Sequence, residues 1–493
     1  MKKLSTILAL LLVACLLLTA CNTGSTSSSS ETAPSETAPS EAASSDAPAS
    51  TDDPASEESA ATGEKIKIKT IEIPQDDAPD SEREMYEFNK ATIEEMLPNV
   101  EIEFTRFAPG SDYRQQYDQW LMAGDEPTVG HIFPYVDIQT RIANGTIADI
   151  SEFAEDWDLR KEGKVVTTFD DAITDKDGKW YAVPFQPYVN GIMYNKAVIT
   201  EAGGNPSDLP ATWNEFAEMA QSYTDKEVPR FGYLLLGSDW NAWTFTPWVW
   251  SAGGEMVRDN GDGTWKIAFN EDPGVDAALF MNQLIWEYNC TQKDVLETYD
   301  EMQNHFKAGQ ACFGWGNFLS FSVDDLARFD QDQNDMGFFA LPAKDDGGRS
   351  VAFAGGEVWT MSPNATQEQK EAAWQYIQAY TYDEGRLDKQ WDKENELGRL
   401  NGNPPARVDL TEHKLSKATS WPAEWADQLT AAMEVALPEP YCPNWNELKN
   451  EIAGPLQTIY LKEGITREEV QQLLDGVADS LYEKYPESFQ RGA

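Results

Sequence analysis

Basic residues are scarce in this 493-residue chain: 38 Lys and Arg stand against 84 Asp and Glu, a formal net charge of -46. Nucleic acid and anionic membrane surfaces both need basic patches, so neither fits as a partner. Histidine is scarcer still, with His131, His305 and His413 far apart and no HExxH spacing. That absence, and the lack of paired CxxC motifs, removes the common zinc sites. Apart from Cys15 and Cys21 only Cys290, Cys312 and Cys442 remain. An odd count argues against a disulfide framework, though a pair such as Cys290 with Cys312 stays open. No GxxxxGK[ST] loop occurs, so any ATP hydrolysis belongs to a separate subunit. The apolar run Ile7 to Leu18 is short of the roughly 20 residues that a transmembrane helix needs.

That run follows Lys2 and Lys3 and has the form of an export signal over residues 1–20. Leu18-Thr19-Ala20-Cys21 resembles the bacterial lipobox, in which the cysteine is acylated and begins the mature chain. Several acyl chains on Cys21 would give stable membrane attachment. Residues 21–63 are Ser, Thr, Ala, Pro and acids with no aromatic and no Val, Ile, Leu or Met, so they cannot bury a core and form a disordered tether. The tether carries eight acids and no base; with Lys2 and Lys3 removed, the remaining body holds 36 basic and 76 acidic residues.

From Glu64 onward the chain is long enough for two domains. Lys65 to Ile73 alternates as a strand, and Val100, Ile102 and Phe104 repeat the pattern. A helix is expected between them, opened by a capping box at Ser81 to Glu84 and ended by Pro98. A second helix over 112–123 and a third strand over 129–133 complete a β-α-β-α-β order, which predicts a parallel sheet. Ligands bind beyond the C-terminal strand ends of such sheets. Asp177-Gly178 reads as a hairpin turn between Ala172-Ile173 and Trp180 to Phe185. A second capping box, Thr212 to Glu215, opens a helix with Trp213, Phe216, Ala217 and Ala220 on one face. The 17 Trp are clustered; an indole face suits the C–H face of a pyranose, although core packing accounts for most single Trp residues.

Several segments occur in a telling order. VPFQPYVNGIMYNK ends in Tyr194-Asn195-Lys196, Pro210 to Glu215 follows, and then come SAGGEMV (251–257), HFKAGQACFGWGNF (305–318) and AFAGGEVWTMSPNATQEQKEAAWQYIQAYT. Together they resemble the extracellular solute-binding proteins of family 1, relatives of maltose-binding protein. One departure is Pro127-Thr128-Val129, where the family often has Pro-Asp-Val. The resemblance implies an α/β, two-lobed, type II periplasmic-binding-protein fold with mixed, mostly parallel sheets and discontinuous lobes joined by hinge strands. It places residues 64–187 with about 351–390 in one lobe, and 188–350 with about 391–493 in the other. A carbohydrate would bind between the lobes and close them, and a monomeric protein would deliver it to ABC permease subunits at the outer face of a Gram-positive cell membrane. Carried over singly, the resemblance nominates Tyr135, Asp137, Gln186, Tyr188, Trp240, Trp243, Trp315, Asn317, Glu357 and Trp445 as ligand-binding residues. Asp137 reads equally as a helix N-cap for Ile138 to Ala143.

No catalytic residue and no cofactor is expected. Two rival readings stand: a surface glycan-binding lipoprotein without transport, which shares the anchor, tether and Trp clusters, and a secreted glycoside hydrolase, which also needs aromatics and whose carboxylate pair is a spatial feature that sequence does not reveal. Asp330 to Asp335 begins like a calcium loop but has Asp335 at its sixth position and Leu341 at its twelfth. A surface Ca²⁺ is the one metal left open.

Overall fold

The structure, a computed structural model, describes residues 64–108, 113–238, 240–317 and 322–492. Cys15, Cys21 and the tether to residue 63 lie outside these described residues. Eleven strands follow in chain order: β1 (Ile66–Ile71), β2 (Val100–Thr105), β3 (Val129–Pro134), β4 (Val183–Asn195), β5 (Phe231–Tyr233), β6 (Val257–Asp259), β7 (Trp265–Ile267), β8 (Ala311–Gly316), β9 (Met336–Phe339), β10 (Ala352–Met361) and β11 (Ala436–Pro438).

β1 and β2 pair in parallel, from Ile66 against Val100 to Ile71 against Thr105, with the helix Asp80–Met96 between them in sequence. β3 lies beside β1, where the Lys69 amide donates to Thr128 Oγ1 at 3.0 Å, so the Thr of the Pro-Thr-Val departure has its own bond. The ladder of β3 is nevertheless antiparallel, with β10. β1 and β2 thus form a two-stranded parallel sheet of their own, and β3 joins a mixed seven-stranded sheet instead of extending their parallel run. One hydrophobic cluster gathers Ile68, Ile93, Val100, Val129, Trp359 and Tyr376. A larger one gathers Phe216, Trp248, Phe280, Phe313 and Trp315 and extends to Tyr135 and Phe169.

The 13-residue strand β4 joins the two. Its first part, Val183 to Asn190, pairs antiparallel with β10, and Gly191 to Asn195 pairs with β8 and β9. One strand thus belongs to both halves of the sheet, as a hinge strand must. β8 in turn pairs in parallel with β5, and β11 in parallel with β10.

Three local expectations need correction. Ser81 caps nothing: the helix starts at Asp80 behind Pro79 without a side-chain cap, and the Ser81 hydroxyl accepts from Arg399 instead. Ala172-Ile173 is not a strand but the end of a short helix, Asp170–Ile173, whose apolar side is buried; the hairpin is reduced to the turn at Asp175 to Lys179, one antiparallel bridge between Thr174 and Trp180, and the Tyr181 amide donating to the Ile173 carbonyl at 3.1 Å. The three described cysteines are free and buried, so the Cys290–Cys312 pair does not exist, and burial pushes both of their thiols up to about 12. By contrast the Thr212 to Glu215 capping box has both of its hydrogen bonds.

Candidate functional site

Cross-strand partners in an antiparallel ladder project from the same face. Gln186 opposes Glu357, Tyr188 opposes Gly355, Asn190 opposes Phe353, and Ile192 opposes Trp315. These residues make one continuous floor across β10, β4 and β8. Glycine is required at two adjacent positions of β10, one on this face and one on the other. A Cβ on Gly355 would stand 2.2 Å from the Tyr188 ring, and one on Gly356 would stand 2.3 Å from the Phe169 ring. Tyr188 can lie flat over β10 only because Gly355 has no side chain.

Aromatic rings rise over the far part of this floor. Trp243 meets Trp315 at 5.5 Å, Phe353 at 5.7 Å and Tyr299 at 6.0 Å between centroids. Trp240 lies 5.8 Å from Tyr299 and 6.4 Å from Trp243. Openness grades along the group: Trp315 is fully buried, Trp243 and Tyr299 are half-buried, and Trp240 is 52% exposed. Two buried polar atoms of the floor, Asn190 Oδ1 and Trp315 Nε1, find no hydrogen-bond partner among the described residues. Orphaned polar atoms under an aromatic wall are the mark of a place where water or a polar ligand completes the bonding.

At the other end Glu357, with a side chain 46% exposed, reaches His131. The imidazole sits between two carboxylates, Nε2 at 3.3 Å from Glu72 and Nδ1 at 3.5 Å from Glu357, stacked on Phe185 at 4.3 Å. Desolvation lowers its pKa, but the charges and hydrogen bonds of Glu72 and Glu357 outweigh that and raise it to about 10. Glu72 also accepts from Tyr376 and Tyr380, at 3.2 and 2.9 Å. Tyr188 is surrounded by protein yet retains solvent access, as the floor of a cleft does; burial and the charges of Glu439 and Glu357 hold its phenol well above the usual range.

Tyr135, Asp137 and Trp445 form a separate group, buried in this conformation. The Tyr135 hydroxyl donates to the Glu439 carbonyl at 2.6 Å and its ring stacks on Phe169. Trp445 Nε1 donates to the Glu439 carboxylate at 2.8 Å, which Lys449 also binds. Asp137 departs from the N-cap expectation, because its side chain makes no cap bond. Its oxygens accept instead from Arg114 at 2.6 Å and Asn446 at 2.6 Å, and the residue is buried. Asn317 follows β8 at the edge of the described residues and is half-buried. Gln186, Tyr188, Trp240, Trp243, Trp315 and Glu357 are thus the nominated residues that the floor brings together. The sequence reading missed Phe353, Tyr299, His131 and Glu72. Phe353 was within reach, two positions before the Gly355-Gly356 pair on the strand already singled out; Tyr299 and Glu72 carry no local signal.

Gln186 also lines a cavity of about 190 Å³ with Phe185, Tyr380, Trp391, Asn403 and Lys414. A larger open depression of about 430 Å³ at Asp208 to Pro210 and Glu215 holds none of the nominated residues and no aromatic. In the segment Asp330 to Asp335, Asp332 Oδ1 accepts from the Asn334 backbone amide at 2.9 Å. Among the described residues no group of three or more His, Cys, Asp or Glu could hold a metal ion. No described helix is long and apolar enough to cross a membrane.

A mixed sheet crossed by a hinge strand, with an aromatic-lined floor at the crossing, defines a two-lobed binding protein of the type II periplasmic class. The same fold occurs in a solute-binding protein from Thermotoga lettingae TMO bound with alpha-D-tagatose, with a TM-score of 0.70 and 20% identity over 85% of this chain and 100% of that one. Maltose-bound MalE3 of T. maritima superposes with a TM-score of 0.67 at 21% identity, over 84% of this chain and 100% of that one. Residues 78–386 match the family of bacterial extracellular solute-binding proteins, and the chain belongs to that family. Among its relatives is the diacetylchitobiose binding protein DasA of Streptomyces coelicolor, 23% identical over 321 residues, which are 64% of this chain and 67% of that protein.

Proposed function

We propose that the protein is the lipid-anchored substrate-binding component of an ABC importer, attached through Cys21, which captures a mono- or oligosaccharide between its lobes and delivers it to the permease. The observation that carries the reading is the joint placement of Trp240, Trp243 and Tyr299 above a floor that ends in Gln186, Tyr188 and Glu357. Ring faces take the C–H face of a sugar while amide, phenol and carboxylate take its hydroxyls. Diacetylchitobiose-, maltotriose- and arabinooligosaccharide-binding proteins are among the relatives, which supports the same class here. Hinge closure supplies the signal, since contacts to both lobes exist together only when the lobes meet around the ligand.

A thermal-shift screen of mono- and oligosaccharides tests this, because a ligand specific for the folded state raises its melting temperature. Trp243→Ala is expected to weaken the best sugar by about 1–2 kcal/mol, roughly ten-fold, with quenched or shifted tryptophan emission in the wild type on binding. A panel in which no sugar shifts the melting temperature or the emission would end the carbohydrate reading. A glycan-holding lipoprotein without transport would bind sugar but show no compaction in solution scattering, and a glycoside hydrolase would cleave the bound oligosaccharide.

A further inference from the structure

The cavity beside Gln186 contains a buried charge, that of Lys414. Lys414 is buried, and among the described residues its ammonium has a single hydrogen-bond acceptor, the Asn403 carbonyl at 2.6 Å. An ammonium has three protons to give, so two remain unspent next to the cavity. The Glu394 carboxylate nearby is already engaged by Gln390 at 2.7 Å and by the Asn401 amide. Desolvation lowers the Lys414 pKa to about 8, against the opposing charge of Glu394. Its other neighbour is the Trp391 ring, 6.0 Å from the ammonium; a desolvated cation with one hydrogen bond and one ring contact costs stability, which is explicable if the cation has a use.

The surroundings indicate which use. Phe185, Tyr380 and Trp391 give apolar walls, while Gln186, Asn403 and Lys414 give polar ones. The volume of about 190 Å³ equals roughly six waters at ~30 Å³ each, or one sugar ring whose hydroxyls replace those waters. Gln186 connects this space with the cleft, because it is also the cross-strand partner of Glu357.

We propose that the cavity is a subsite for one hydroxylated ring at the end of a bound oligosaccharide, with the Lys414 ammonium and the Gln186 amide donating to its oxygens. The proposal rests on the carbohydrate reading of the cleft and adds the chain-length preference to it: saccharides long enough to reach the cavity bind more tightly than their shorter homologues.

The test is calorimetric titration of wild type, Lys414→Met and Lys414→Gln with glucose, maltose and maltotriose, N-acetylglucosamine and diacetylchitobiose, and arabinose and arabinotriose. Lys414→Met is expected to raise the melting temperature of the unliganded protein, because it removes a buried charge. The same variant is expected to bind the longest recognised sugar at least ten-fold more weakly and its shorter homologue unchanged, with Lys414→Gln between the two. A lysine that only supports the fold would lower the melting temperature and leave the length preference alone. If a sugar binds and both variants match wild type for every length, the cavity holds water only and the subsite is overturned while the cleft reading stands. If none of these sugars binds the wild type, the carbohydrate reading and the subsite fall together.

Discussion

Among the individual residues, His131 is the one whose chemistry is most altered by its place. Glu72 reaches it from the end of β1 and Glu357 from β10, while Phe185 and Trp359 cover its faces. Tyr376 and Tyr380 stand behind Glu72, and the Arg386 guanidinium lies over Tyr380 at 4.0 Å. The imidazolium therefore holds the Glu357 carboxylate at the cleft floor. Its folded pKa of about 10 lies above the unperturbed 6.5, so its contribution to stability is full below about pH 6.5 and is lost as pH rises toward 10. His131→Gln is thus expected to be less stable than wild type by a margin that is large at pH 6.5 and nearly gone at pH 10. Urea unfolding of both proteins across that range measures it, and a margin independent of pH would refute the assignment. With only three histidines in the chain, imidazole NMR offers a second check: the His131 resonances should not titrate between pH 5.5 and 8. None of this was legible in the segment HIFPYVD, because Glu72 and Glu357 are distant in sequence and only the sheet brings them to the ring. For the same reason sequence could nominate Trp315 and Trp240 but not say that the first is closed in and the second open.

At the scale of elements, the register of β4 against β10 sets the site. Adding one methyl at Gly355 puts carbon 2.2 Å from the Tyr188 ring, and overpacking of this kind costs about 1–3 kcal/mol. Gly355→Ala should therefore lower stability by that amount and also weaken ligand binding, since the displaced phenol is part of the floor. Gly476→Ala is the control. That position lies in the helix Arg467–Lys484 with no atom within 4 Å of the new carbon, so the change should stabilise by roughly 0.5–1 kcal/mol and leave binding untouched. Equal effects of the two substitutions on binding would remove Tyr188 from the floor. The strands themselves were readable, because alternation at Ile66 to Ile71 and Val100 to Thr105 is a local pattern. So was the cap at Thr212, whose two hydrogen bonds close within four residues. The cap at Ser81 failed because a long-range partner, Arg399, took the hydroxyl. The parallel pairing expected of β3 failed similarly: its partner strand, β10, enters more than two hundred residues later.

For the molecule as a whole, the question is what favours closure. Ser81 lies on the helix Asp80–Met96, whose Ile93 belongs to the smaller hydrophobic cluster, and Asp324 lies on the helix Val323–Ala327, whose Leu326 belongs to the larger one. These elements touch through the Ser81 amide donating to Asp324 Oδ2 at 3.2 Å and through Arg328 donating to the Asp77 carbonyl at 3.1 Å. The family order of motifs implied two lobes, but such rim contacts join residues 243 and 251 positions apart and leave no trace in a local pattern. The hydrogen bonds of Ser81 hold the Asp324 carboxyl below its usual pKa in spite of the opposing desolvation, so the contact is made by the ionised form. A hydrogen bond to a charged group contributes about 1.5–3 kcal/mol. A contact present only in the closed state biases the equilibrium by its whole value, while one present in both states biases nothing. Asp324→Ala should then weaken sugar binding by about ten-fold, 1.4 kcal/mol, through the population of the closed form rather than through any ligand contact. Solution scattering separates the two explanations. At saturating sugar the variant and wild type should share one radius of gyration, and at sub-saturating sugar the variant should be the more expanded. Wild-type affinity in the variant would mean that the rim contact persists when the cleft is open.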